Sequence, residues 1–132
     1  MDNKNKTISL LVVDDEPACL RVLRRLLADE FAVTTADSAK EALGLVCTES
    51  FNVVLTDYDM PEKGGLWLLR VIRQHYPEIH RVLISGCPPT DIANHLQSGL
   101  ADFCLPKPSS RRQIVDCLRS LAQQGSPTRH HH

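Results

Sequence analysis

Ile8-Ser9-Leu10-Leu11-Val12-Val13-Asp14-Asp15 decides the fold, because a short, largely apolar run ends abruptly in two carboxylates. The run is too short for a helix and rich in branched side chains, as a strand buried on both faces requires. Pro17 then suits the first turn of a helix. From Ala18 to Leu27 the residues Leu20, Leu23, Leu26 and Leu27 recur at three- and four-residue spacing, while Arg21, Arg24 and Arg25 take the other face. A buried strand followed by an amphipathic helix is one βα unit.

The same unit recurs along the chain. Ala32 to Ala36 reads as a second strand, and Ser38 with Glu41 forms a capping box that opens a helix ending near Cys47. Val53 to Thr56 is a third strand, followed by a loop with Pro61, Gly64 and Gly65 and a helix from Leu66 to Gln74. Arg81 to Ile84 is a fourth strand. Pro88-Pro89-Thr90 then breaks the chain before a weaker helix from Asp91 to Gln97, and Phe103 to Leu105 is a short fifth strand. The last helix is capped by Ser110 with Gln113 and turns Ile114, Val115, Leu118 and Leu121 inward. Five βα units in succession imply right-handed crossovers and a doubly wound, five-stranded parallel α/β sheet of flavodoxin-like type, with helices on both faces.

Composition excludes several functions. The 132 residues are 42% apolar, which suits one domain with its own core. A formal net charge of −1, with both signs scattered along the chain, gives no broad basic face for direct nucleic-acid binding. No apolar stretch is long enough to span a bilayer, and the polar start from Met1 to Lys6 lacks the core of a secretory signal, so a soluble cytoplasmic protein without a membrane partner is expected. Five scattered cysteines, with no CxxC pair, fit reduced thiols better than disulfides or zinc, and Cys87 reads as inert. His75, His80 and His95 are isolated and lack any hydrolase context. His130 to His132 reads as an expression tag, which favours a domain cut from a longer protein; residues 7–123 are the expected domain and 124–132 a linker or tag remnant.

Four polar positions fall where the strands end: Asp14-Asp15, Asp57, Ser85 and Lys107. In a parallel sheet they share the carboxyl-end edge, where open α/β sheets place their ligands. Each alone has an ordinary explanation: an acidic pair caps a helix, a serine makes a turn, a lysine is a solvated charge. In this order they describe a site. Three crowded carboxylates repel unless a cation intervenes, and oxygen ligands without His or Cys favour Mg²⁺ or Mn²⁺. Lys107 supplies a fixed positive charge, while Ser85 supplies a hydroxyl and Gly86 lets backbone N–H approach phosphoryl oxygens. The set suits phosphoryl transfer to an aspartate.

Val12-Val13-Asp14-Asp15-Glu16, Leu55-Thr56-Asp57-Tyr58-Asp59-Met60-Pro61, Leu83-Ile84-Ser85-Gly86 and Leu105-Pro106-Lys107-Pro108 together resemble the receiver domain of two-component response regulators, over roughly Ile8 to Ala122. The resemblance implies that Asp57 is the phosphoacceptor, that Asp14, Asp15, Asp57 and the main-chain carbonyl of Asp59 hold Mg²⁺, and that Ser85 and Lys107 bind the phosphoryl group. It implies a cis Lys107-Pro108 bond. The implied partners are a sensor histidine kinase or phosphotransfer protein and an output domain or downstream protein reached through residues 90–122, with a phosphorylation-dependent homodimer as a further possibility. Such a domain is not an enzyme beyond its own phosphorylation and dephosphorylation.

Some positions depart from the family pattern. Receivers usually carry Tyr or Phe three residues before the lysine, where this chain has Cys104; Phe103 falls on the opposite strand face. A switch through that ring is therefore not expected, and Pro88-Pro89 stiffens a loop that normally moves. Asp59 adds a carboxylate at the mouth of the site and is expected to alter dephosphorylation. Ile84-Ser85-Gly86 with Gly99 and Phe103 is loosely similar to receivers fused to HD-GYP-type cyclic-di-GMP phosphodiesterases. Two other functions fit part of the pattern: a receiver-fold interaction module that is not phosphorylated, and a Mg²⁺-dependent phosphatase with an aspartyl-phosphate intermediate, which would lack a cap domain.

Overall fold

The computed structural model describes residues 7–58, 60, 64–86 and 89–124. Five strands alternate with five helices: β1 (Ile8–Val13), α1 (Pro17–Leu27), β2 (Phe31–Ala36), α2 (Ala39–Thr48), β3 (Val53–Asp57), α3 (Gly65–His75), β4 (His80–Ser85), α4 (Pro89–Gln97), β5 (Phe103–Pro106) and α5 (Arg111–Gln123). The strands form one parallel sheet in the order β2-β1-β3-β4-β5. The doubly wound expectation is met.

The period-two geometry of strands splits each apolar run between two cores. Leu10 and Val12 of β1 join Val53, Leu55, Val82, Ile84 and Leu105 beneath α1 and α5, which contribute Leu23, Leu27, Ile114 and Leu118. Leu11 and Val13 join Val54 and Leu83 beneath α2 and α3, which contribute Ala42, Val46, Leu68, Leu69 and Ile72. Each fully buried Leu or Ile stabilises the fold by about 1.5–3 kcal/mol relative to exposure. This explains why every residue of β3 and β4 is buried.

Local signals set the helix ends, with two departures from expectation. Ser110 and Gln113 make both halves of a capping box on α5. On α2 only half of the box forms: Ser38 accepts from the Glu41 N–H, but the Glu41 carboxylate accepts from the Asp37 N–H instead. Pro89 opens α4 rather than breaking the chain before it, because a helix's first turn does not need the N–H that proline lacks. Two residues past the end of helix α4 lies Gly99, whose φ of +84° is open to glycine; Gly99 N–H donates to Leu96 O at 3.1 Å and Leu100 N–H to His95 O at 3.0 Å.

The amino-end edge of the sheet holds a buried charge. Arg81 begins the second position of β4 at 5% exposure, and its guanidinium donates to the carbonyls of Ile79, Leu100, Pro77 and Gly99. Its backbone N–H donates to the Asp102 carboxylate at 2.8 Å. One side chain thereby ties the α3–β4 and α4–β5 turns together.

Candidate functional site

Sheet topology assembles the site through the backbone. Each strand end is held by a hydrogen bond to its neighbour: Asp14 N–H to Ala36 O at 3.2 Å, Tyr58 N–H to Ile84 O at 3.0 Å and Lys107 N–H to Ser85 O at 3.0 Å. Asp14, Asp57, Ser85 and Lys107 are thus fixed along one edge by the ladder that makes the fold. Asp14, Asp57 and Ser85 are 1%, 7% and 3% exposed.

The Lys107 ammonium lies between the carboxylates. Its Nζ donates to Asp57 Oδ1 at 2.8 Å and to Asp14 Oδ2 at 3.4 Å. Burial alone would pull the lysine down, but its hydrogen bond to Asp57 and the charge of Asp14 outweigh it and hold Lys107 above its ordinary value. Asp14 Oδ1 accepts from the Glu16 N–H at 2.9 Å, which leaves its other oxygen aimed at the lysine.

Asp14, Asp15 and Asp57 each present a carboxylate oxygen within 4.8 Å of the others. Asp15 is exposed and the other two are buried. Three anions face one lysine, so the cluster is two charges short of neutrality. An all-oxygen set with an exposed side fits a hard divalent cation that retains waters, as Mg²⁺ does.

Gly65, expected in a loop, is instead the first residue of α3 and sets its approach. A Cβ on Gly65 would sit 2.2 Å from the Asp57 carbonyl oxygen, so only glycine lets the helix start directly behind the acidic strand end. Asp59 and Cys87, both singled out in the sequence, lie outside the described residues, as does Pro88. The Lys107-Pro108 bond is cis. Cys104 packs against the core beneath α2 and α3, whereas Phe103 points away and is 45% exposed.

Two features were not read from the sequence. A groove of about 460 Å³ runs from Asp14 and Lys107 between α1 and α5, walled by Cys19, Val22, Leu26 and Ile114. Val22, apolar and 55% exposed among the arginines of α1, was the available signal. The second is a contact between the Tyr58 ring and the His95 imidazole of α4, with centroids 6.1 Å apart. Nothing in the spacing of these two residues could have revealed it.

The profile of the response regulator receiver domain matches residues 10–119. The chain belongs to that family. The hydrogenase transcriptional regulatory protein HoxA of Cupriavidus necator is 36% identical to this receiver over 121 residues, which are 90% of this chain and 25% of that protein. The receiver therefore spans about a quarter of that relative's length. Among solved structures, the signal receiver domain of an HD domain-containing protein from Pseudomonas fluorescens Pf-5 superposes with a TM-score of 0.83 at 27% identity, covering 90% of this chain and 97% of that one. The response regulator TrrA of Thermotoga maritima, solved in complex with Mg(2+)-BeF, gives 0.78 at 26% identity, covering 87% and 99%. Among the described residues, no helix is long and apolar enough to cross a membrane.

Proposed function

We propose that this receiver takes a phosphoryl group onto Asp57 from the phosphohistidine of a sensor histidine kinase or phosphotransfer protein, and passes the change to an output domain or a downstream protein. The observation that carries this reading is the Lys107 ammonium held at 2.8 Å from Asp57 within a cluster of three carboxylates. One oxygen of Asp57 attacks phosphorus as the P–N bond of the donor breaks, and the bonding pair leaves with the imidazole. Asp14, Asp15, Asp57 and the Asp59 main-chain carbonyl would hold Mg²⁺, or Mn²⁺ in its place. A cation held there would neutralise charge on the transferring phosphoryl oxygens.

The residues supply the rest. Lys107 exchanges its contact with the Asp57 carboxylate for one with a phosphoryl oxygen, so its charge is already in position when negative charge gathers there. Ser85 offers its hydroxyl to a second oxygen. Burial of Asp57 limits water at the acyl phosphate, and the groove between α1 and α5 leads a donor's helix to the open side of the site. Because Cys104 replaces the usual ring, the signal leaves through α4 and the surface over residues 90–122 without a swinging aromatic side chain. Residues 7–123 form the receiver and 124–132 a linker or tag remnant.

Incubation with acetyl phosphate and Mg²⁺, followed by intact-mass analysis, tests the reading. Wild type gains roughly 80 Da for one phosphoryl group and Asp57→Asn does not. No adduct in a folded wild type, with no release of phosphate, would replace this reading with that of an interaction module of receiver fold. Release of phosphate without an adduct would favour the phosphatase.

A further inference from the structure

Helix α3 and the end of α4 flank a second cavity, open to solvent and of about 440 Å³, lined by Arg70, Arg73, Gln74, His95, Ser98 and Leu100. Arg70 and Arg73 stand three residues apart on α3 and so share one face of it. Among the described residues, neither guanidinium is paired with a carboxylate. On α5, by contrast, Arg111 and Arg119 both pair with Glu30.

Behind the cavity lies a third guanidinium. Arg73 rests against Gly99, 3.5 Å from where a Cβ would stand, and the buried Arg81 donates to the carbonyl of the same Gly99 at 3.4 Å. Burial pulls Arg81 below its ordinary value, Asp102 opposes that, and the charge of Arg73 adds to the fall. Arg81 is answered by Asp102 and the turn carbonyls, so the charge left without a carboxylate partner here is that of Arg70 and Arg73. Guanidinium forks match phosphate oxygens in pairs, and two of them suit a ligand with two anionic groups better than a single carboxylate.

We propose that this cavity binds the diphosphate group of a small phosphorylated molecule, with Arg70 and Arg73 as the clamp and Gln74, Ser98 and His95 as further polar contacts. The volume fits a body of nucleotide size beside the diphosphate. His95 also touches Tyr58, the residue after Asp57, so the cavity and the acidic site share a joint. Ligand in the cavity and phosphoryl on Asp57 therefore bias one another's equilibria, a coupling that rests on the phosphoacceptor reading; the binding itself does not.

The test is calorimetric titration of the full chain with inorganic pyrophosphate and with ADP, at about 0.15 M salt with EDTA to keep metal from the carboxylates. Saturable 1:1 binding is expected, weakened about tenfold or more in the exposed double variant R70Q/R73Q and unchanged in Asp57→Asn. Melting temperatures confirm that the variants are folded. Tighter binding of ADP than of pyrophosphate assigns a nucleotide, and equal binding assigns an inorganic polyphosphate. No saturable binding of either, or equal affinity in the double variant, overturns the proposal. If Asp57 fails to take a phosphoryl group while these titrations succeed, only the coupling is lost.

Discussion

The two edges of the sheet both bury charge, and they resolve it in opposite ways. At the amino end, Arg81 donates to four backbone carbonyls and lies beside Asp102, so its donors are met by the protein itself. At the carboxyl end, Asp14, Asp15 and Asp57 face a single lysine. A buried cation satisfied from within is a strut, whereas an acidic cluster short of positive charge suits a cation supplied from outside. The contrast separates stability from function by chemistry rather than by exposure, since Arg81 and Asp57 are about equally buried at 5% and 7%.

The largest expected effect tests the strut. Arg81→Met leaves several turn carbonyls without donors and should cost about 3 kcal/mol, a fall of roughly 10 °C in melting temperature. Asp57→Asn, which relieves one crowded carboxylate, should hold or raise the melting temperature. Equal destabilisation by the two substitutions, read by thermal unfolding, would erase the distinction between the edges.

A smaller effect sharpens it at the acidic edge. Gly65→Ala forces a methyl group against the Asp57 carbonyl and should cost about 1–3 kcal/mol through displacement of the α3 start. It should also slow labelling by acetyl phosphate. Normal labelling in a destabilised Gly65→Ala would show that the approach of α3 matters to the fold but not to the site.

The smallest effect concerns Asp102. Burial pushes its carboxyl up, but the His80 imidazole 3.7 Å away and the N–H and charge of Arg81 outweigh it and hold it below the ordinary carboxylate value. A depressed folded pKa gives stability that is present above the unfolded value and lost as pH falls through the folded one. The difference in stability between wild type and Asp102→Asn should therefore be larger at pH 7 than at pH 3 in denaturant titrations. A difference that grows on acidification would reverse the assignment.

The fold was legible because every strand is a compact apolar run and most helices carry a periodic apolar face; strand ends were accurate to within one residue. The site was legible for the same reason, as Asp14, Asp57, Ser85 and Lys107 are placed by strand ends that the runs already marked. Arg81 was not. It read as an ordinary first residue of a strand, and only the return of the chain at 99–100 supplies the carbonyls that make its burial possible. The cavity of Arg70, Arg73 and His95 and the contact of His95 with Tyr58 likewise depend on how α3 and α4 meet, which spacing within either helix does not encode. Cys104 was legible as a departure, and the structure supplies the partner face on which it packs.

On the proposed function, a divalent cation and a phosphoryl group complete the carboxyl-end cluster. Peptide mapping after acetyl phosphate treatment, in Mg²⁺ and in EDTA, tests it most directly. An adduct of roughly 80 Da is expected on the peptide containing Asp57, present with Mg²⁺ and absent with EDTA. An adduct on another residue, or one indifferent to the cation, would contradict it.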